Sequence, residues 1–476
     1  MNREALWQSI NDAAAKAKET ARQVGVTDVE NAEALLEAHG ERLRFCAQQG
    51  SWYHFDGKRW LEDHANVKVE ELAKEVLLSH SIELVKRAAE TDKKKYLESS
   101  TRKLLSAATI QNAVRTARTF EEVQVAPDDF DRDPMLLCVE NGTLDLKTMK
   151  LRPHDPANLI TKCAKYRYEP GADCPTWHKF LGSSLPDAEV ADYLQVLFGY
   201  CLTGDISEQK LFIFHGDGAN GKSIVIRVLR ELLGDYAVIA AQELLVKHKF
   251  ESHPTSLAEL KGARLATCNE VEGKAKLSEV LVKKLTGGDT LQARRMRENL
   301  WRFEPTHKII LVSNYEPEVA DTDEGIWRRL VMIPFDVVIP IERRDAKLFD
   351  KLQNEIEGIF AWAVEGCRLW QAHGLVSPLA VDSKTLNYRA ANDPLQQFLD
   401  ECCLKESNVS KADFYSALEN FCKESGATCP DHKAVTQGMK KKGFDESRTN
   451  SGRFWSGVSV KAAYRSPANA DTSAAW

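Results

Sequence analysis

The sequence predicts an α/β protein: a parallel central sheet, preceded by a mixed, mostly helical N-terminal region and followed by a small unit of helices and a hairpin. Three observations carry that expectation. Four apolar runs of buried-strand type, KLFIFHG (210–216), ARLATCNEV (263–271), KIILVSN (308–314) and RRLVMIPF (328–335), recur at wide spacing with helical or mixed segments between them. Strands alternating with helices imply parallel pairing. The first run feeds a glycine-rich loop, which feeds the helical pattern IVIRVLRELLG. Finally, 476 residues at 43% hydrophobic and 28% charged are ordinary for a globular chain of about three domains. A collagen-like, disulfide-scaffold or mainly disordered chain is excluded.

Taken in order, the first 40 residues are alanine-rich with alternating charge and read as helical. RFCAQQGSWYHFDGKRWLE (44–62) is aromatic and broken at Asp56-Gly57, a hairpin signal. Residues 66–120 return to helical spacing with a basic excess that includes Lys93 to Lys95, Arg102, Lys103, Arg115 and Arg118. Residues 127–170, punctuated by prolines and by a turn at Asn141-Gly142, read as loops and short strands. A helical stretch from Thr176 to Thr203 leads into the first buried strand, and helix resumes after Pro340. Asp393-Pro394 marks a boundary, after which helices lead to the hairpin pattern GFDESRTNSGRFWSGVSV (443–460) and a tail expected to be disordered. The chain thus divides at 1–175, 176–390, 391–462 and 463–476.

No apolar run is long enough to span a membrane, since the best, Leu330 to Ile341, contains Asp336 and two prolines. The N-terminus lacks a signal-peptide pattern, and the 11 cysteines include no C-x-x-C pair, so the expectation is a cytoplasmic protein with reduced thiols. Cys422, Cys429 and His432 match no zinc-module spacing.

The chemistry concentrates at Gly216-Asp217-Gly218-Ala219-Asn220-Gly221-Lys222-Ser223, which fits G-x-x-x-x-G-K-[ST] without a mismatch. Glycines let backbone amides close around a polyphosphate such as that of ATP. Lys222 would reach the β- and γ-phosphates, Ser223 would ligate Mg2+, and the helix N-terminus adds partial positive charge. A second acid strand is needed. Glu270 ends the run ARLATC in position to face Mg2+ and water, and Glu272 alternates onto the same face; the alternative is a solvated strand end. Asn314, at the tip of KIILVSN, is placed to orient water or simply to form a turn. Arg328 and Arg329 open the last strand, where one of them would reach a neighbouring subunit's γ-phosphate or make a surface salt bridge.

In this order, GDGANGKS, CNEVEG, LVKKLTGGDTLQARRMRENLWRFEPTHKIILVSN and DEGIWRRLVMIPF resemble the superfamily 3 helicases. The likeness is to the helicase part of phage and plasmid primases of the satellite-phage alpha-protein type and of the poxvirus primase-helicase. It covers about residues 130–390, with NGTLDLKTMKLRPHDP in the domain preceding the ATPase. The resemblance implies an AAA+ phosphate-loop ATPase that hydrolyses ATP between the subunits of a hexameric ring. It implies that Lys222 and Ser223 hold phosphate and Mg2+, that Glu270, with Glu272, is the acid of the second motif, that Asn314 is the sensor, and that Arg328 or Arg329 is the finger. Asn269 stands where many relatives carry an acid, which shifts metal binding toward Glu270. The family's pore hairpin maps to DTLQARRMRENLWRF, with Arg297 and Arg295 at its tip as DNA contacts and Lys284 as a further candidate unless it lies on a solvated helix face. The C-terminal unit loosely resembles a winged helix, for docking DNA or protein.

The expected function is therefore an ATP-dependent replicative DNA helicase of a phage, prophage, satellite or plasmid, acting on single-stranded or forked DNA in a bacterial cytoplasm. No zinc ribbon precedes the loop, so any primase would be a separate partner. The alternative is an AAA+ initiator, loader or origin-binding protein without processive unwinding. A net charge of −6 seems to argue against nucleic acid. The charge is uneven: Lys276 to Arg302 holds seven basic and three acidic residues. Six copies around one channel would track a phosphate backbone.

Overall fold

The computed structural model describes residues 27–89, 103–247, 255–268, 276–294, 300–319, 323–449 and 452–464. The chain divides into two units, Met1–Tyr168 and Glu169–Trp476.

In the first unit, the helix Asp28–His39 begins at a capping box: the Thr27 hydroxyl accepts from the Glu30 amide while Glu30 reaches back to the Thr27 amide at 2.9 Å. It packs with the helices Val67–Ala89 and Ala107–Ala117 around Leu35, Leu43, Leu72, Ile110 and Val114. Strands β1 (Leu43–Cys46), β2 (Ser51–Phe55) and β3 (Trp60–Asp63) form an antiparallel meander. Asp56-Gly57 makes the turn between β2 and β3, with Asp56 accepting from the amides of Lys58 and Arg59. A second meander joins β4 (Leu136–Val139), β5 (Gly142–Asp145) and β6 (Lys150–Arg152), and turns at Asn141-Gly142. The region is thus helical with two small sheets.

The second unit is built on five parallel strands: β7 (Leu211–His215), β8 (Ala237–Ile239), β9 (Leu265–Cys268), β12 (Lys308–Ser313) and β13 (Leu330–Pro334). Their order is β13-β7-β12-β9-β8. All six residues of β12 are buried, as expected of a strand covered on both faces. Side chains alternate accordingly. Leu211, Ile213, Ile309, Leu311, Leu330 and Met332 enter one core, while Phe214 turns to the opposite face and meets Phe335 at 5.2 Å. The four strands expected from the sequence are present. The edge strand β8 was not expected, being only three residues long and half exposed. The expected helix before β7 is two helices, Pro175–Ser184 and Ala188–Leu202, separated at Leu185-Pro186 because proline removes a helix donor.

Between β9 and β12, the strands β10 (Leu291–Ala293) and β11 (Trp301–Phe303) pair antiparallel. They are the arms of the hairpin expected around residues 289–303. The residues beyond β13 are helical as expected, in Leu348–Asn354, Ile356–His373 and Leu379–Ala391. From Pro394 a separate core forms around Phe398, Phe414, Leu418, Val435 and Trp455. Its helices Pro394–Cys402, Lys411–Ser425 and His432–Lys441 pack with β14 (Cys403–Leu404) paired to β18 (Ser459–Val460), and with the sheet β15 (Asn408–Ser410), β17 (Gly452–Ser456) and β16 (Asp445–Thr449). Among the described residues no helix is long and apolar enough to cross a membrane, and no group of three His, Cys, Asp or Glu residues is placed to hold a metal ion.

Candidate functional site

Parallel strands send all their C-terminal ends to one edge of the sheet. There β7 delivers His215 and then the loop 216–221, which turns directly into the helix Lys222–Leu233. The turn requires left-handed backbone at Gly218 (φ 96°), Ala219 (φ 50°) and Gly221 (φ 91°). Ala219 pays for a conformation that glycine adopts freely. At Gly216 the constraint is space, since a Cβ would overlap the Phe335 carbonyl and meet the Asn220 amide. At Gly221 it would meet Ser184 Oγ at 2.6 Å and the Phe180 ring at 3.0 Å. The loop is thus gripped from both sides.

Asn220 supplies the clasp. Its side chain, 2% exposed, donates to the Phe335 carbonyl at 2.8 Å and accepts from Lys222 Nζ at 3.1 Å. Lys222 is also buried, and its ammonium donates to the Gly216 carbonyl as well. Its charge therefore lies across the loop, where a phosphate oxygen would be a stronger acceptor than the loop carbonyls. Ile339 anchors the far side by donating to the Ala219 carbonyl at 2.8 Å. Asp217 and Ala219 are exposed, Gly218 is half-buried, and Ser223 is exposed at the helix start. A helix beginning at Gly221 has no side-chain cap. Its first amides therefore remain available to an anion beside the Ser223 hydroxyl.

Asn314 reaches the same edge. Ser313 on β12 pairs in register with His215 on β7, so Asn314 stands level with Gly216. A Ser313 turn, with the hydroxyl bonded to the backbone of Tyr315 at 2.6 and 3.1 Å, ends the strand there. The acid-bearing segment leaves the neighbouring strand at Cys268, which pairs with Leu311. Glu270 and Glu272 themselves lie outside the described residues, as do Arg295 and Arg297. His215 is an addition that the motif does not signal. Its Nδ1 is buried without a partner, and burial lowers its pKa.

Arg328 and Arg329 stand at the opposite end of β13, and the structure separates them. Arg329 is 9% exposed and donates to Gln209 Oε1 at 3.0 Å, while its carbonyl accepts from the Leu211 amide. Arg328 is exposed; its amide donates to the Glu324 carbonyl at 3.1 Å and its carbonyl accepts from Lys210 at 2.7 Å, and among the described residues its guanidinium has no hydrogen-bond partner. Lys284, half-buried, lies on the helix Glu279–Thr286; its neighbour Lys283 is committed to Asp323 at 2.7 Å.

Comparison with known proteins agrees with the order of these motifs. A family described as "D5 N terminal like" matches residues 32–186, and a "Family of unknown function (DUF5906)" matches residues 214–329. A protein of Acanthamoeba polyphaga mimivirus, provisionally named a helicase, is 28% identical over 83% of this chain and 46% of its own length. A second, from Invertebrate iridescent virus 3 and also provisionally named a helicase, is 23% identical over 84% of this chain and 50% of its own. The chain thus spans about half the length of these relatives. Both come from viruses of eukaryotes, which lends no support to a bacterial setting. Among solved structures, the A-form apo C-terminal region of NrS-1 aligns with 88% of this chain and 96% of that one at a TM-score of 0.49 and 12% identity. The resemblance read from the motifs is supported by these matches: residues 32–186 are similar to a D5-type N-terminal family, and most of the chain is similar to viral proteins provisionally named helicases.

Proposed function

We propose that this chain is an ATP-driven helicase that moves along single-stranded DNA during replication, as an AAA+ ATPase in a hexameric ring. The observation that carries the reading is the convergence of the loop 216–223, Asn314 and the exit of the acid-bearing segment on one edge of a parallel sheet. β12 between β7 and β9 is what sets Asn314 between the other two.

The loop amides and Lys222 hold the triphosphate. Ser223 and Glu270 hold Mg2+, which neutralises charge on the phosphates when bound. Glu270, assisted by Glu272, orients the attacking water, with Asn314 beside it. The fit rests on the donors present: a helix start without a side-chain cap, an exposed hydroxyl and a buried ammonium lying across the loop. Arg328 is the finger offered to the neighbouring subunit, because it is exposed where Arg329 is committed to Gln209.

In this reading the hairpin whose arms are β10 and β11 is the DNA-contacting element, with Arg295, Arg297 and Lys284 as its DNA contacts. The residues from Pro394 to Val460 act as a winged-helix-like accessory unit. Forked DNA is the substrate, and any primase is a partner protein.

The test is strand displacement and ATP turnover with Lys222→Ala beside the parent. Loss of the loop cation is expected to lower both by roughly two orders of magnitude or more. Equal unwinding by the two proteins would sink the reading.

A further inference from the structure

The N-terminal unit contains a cavity of about 270 Å³ that the phosphate loop does not account for. It is walled by Phe45, Asn66, Glu70, Gln111, Arg115 and Arg118. We propose that it binds a single nucleotide unit: one phosphate with its sugar and base. The proposal deepens the helicase reading by adding a second nucleotide site, but its chemistry stands on the cavity alone.

Charge is the first argument. Arg115, on the helix Ala107–Ala117, and Arg118, at its C-cap, are three residues apart and so share a face. Both are exposed, and among the described residues neither pairs with a carboxylate. Arg115 has only the neutral Asn112 carbonyl at 3.0 Å. Arg118 lies over the Phe45 ring at 5.8 Å, which orients its plane without neutralising it. Two guanidinium forks not paired to a carboxylate suit a phosphate, which each binds through paired N–H groups, and against the one Glu70 on the wall they leave the cavity net positive.

The opposite wall is the second argument. Ala65 and Asn66 carry φ of 60° and 61°, left-handed values unfavourable for residues other than glycine. Such strain persists where surrounding bonds over-determine it. Here Asp63 does so, accepting from the amides of Lys68 at 2.9 Å and Val69 at 2.8 Å just past the turn. The result brings Asn66 to the cavity wall. With Gln111 it provides amides that can donate and accept, and Glu70 accepts from an amino or hydroxyl group. The volume falls just below the ~300 Å³ at which ligand pockets usually begin. That size suits one nucleotide unit better than a longer segment.

The unit belongs either to a free mononucleotide or to a single strand passing the cavity. The experiment uses full-length chain carrying Lys222→Ala, so that the phosphate loop contributes no binding. Thymidine 5′-monophosphate is titrated by calorimetry and labelled oligothymidylate by anisotropy, with and without Arg115→Ala plus Arg118→Ala. The expected result is about tenfold weaker binding of one probe. For the oligonucleotide, the salt slope should also fall by roughly 0.7 for each lost contact. Loss with the monophosphate assigns a free nucleotide; loss confined to the oligonucleotide assigns a strand.

Asn66→Gly is the second variant. Glycine is at ease at this backbone angle, so the melting temperature should hold or rise while affinity falls, which a merely structural turn would not do. Unchanged affinity and salt slope for both probes overturn the proposal. ATP turnover without DNA, measured with Lys222 intact, is expected to be unaffected by the arginine pair. Absent turnover in the parent would sink the helicase reading and leave the binding result standing.

Discussion

At the residue scale, two adjacent arginines show how position alone divides roles. Arg329 is held by Gln209, and its burial lowers its pKa, so its loss removes a hydrogen bond from the base of the sheet. Arg329→Ala should therefore lower stability by about 1–3 kcal/mol. Arg328→Ala should leave the melting temperature unchanged and reduce ATP turnover about a thousandfold or more, the scale of a missing arginine finger. Thermal unfolding and a turnover assay on both variants check this; a thousandfold loss from Arg329→Ala without destabilisation would reverse the assignment. The sequence offered both arginines equally. Which one is buried depends on Gln209, 120 residues away, and no local pattern encodes that partner. The clasp made by Asn220 was likewise hidden at a position where the motif accepts any residue.

The same end of the sheet holds two buried bases with a common pH signature. His307 is 2% exposed, has no partner on either ring nitrogen, and is pushed down to about 3. Lys308, bonded to the carbonyls of Thr203, Asp205 and Thr306, is pushed by burial down to about 7. In each case the folded pKa lies below the unfolded one, so the unfolded chain binds the extra proton. Stability is fully present above the unfolded pKa and is lost as pH falls toward the folded one. For Lys308 that window runs from about 10.5 down to about 7, and for His307 from about 6.5 down to about 3. His307→Leu should flatten the melting temperature between pH 6.5 and 4, and Lys308→Met should flatten it between pH 10 and 7. Parallel curves for variant and parent would refute the linkage.

At the scale of elements, the helices Ala188–Leu202 and Ile356–His373 approach so closely that glycine is needed on both. A Cβ on Gly199 would overlap the Cys367 backbone, and one on Gly366 the Gln195 carbonyl. Gln195 also donates to the Trp362 carbonyl at 2.9 Å. Gly366→Ala should cost about 3 kcal/mol or more, because backbone cannot yield as a flexible side chain does. Gly182→Ala, in the helix Pro175–Ser184 with nothing within 4 Å, is the control and should stabilise by about 0.5–1 kcal/mol. Denaturant melts compare them. Nothing local in the sequence marks these glycines, since the partner helix lies far along the chain. The strands were more legible. β7, β9, β12 and β13 announce themselves because burial on both faces demands unbroken apolar runs, whereas β8 at the edge is under no such demand.

At the scale of the whole molecule, the parallel sheet sends the phosphate loop to one edge and Arg328 to the other. β13 spans five residues, roughly 15 Å at the usual rise, so a subunit does not bring its own Arg328 to its own loop along that strand. Under the ring reading each site is shared, with Lys222 from one subunit and Arg328 from the next, in a head-to-tail contact that closes on rotation. Mixing tests this directly. Lys222→Ala and Arg328→Ala proteins, each inactive alone, should regain turnover when combined. Random assembly creates an interface with both native residues at about one site in four, so recovery should approach a quarter of the parent rate. The gain should follow subunit exchange and disappear when each variant is first cross-linked as its own assembly. No recovery at any ratio, with size measurements showing mixed assemblies, would mean that Arg328 does not act across the interface.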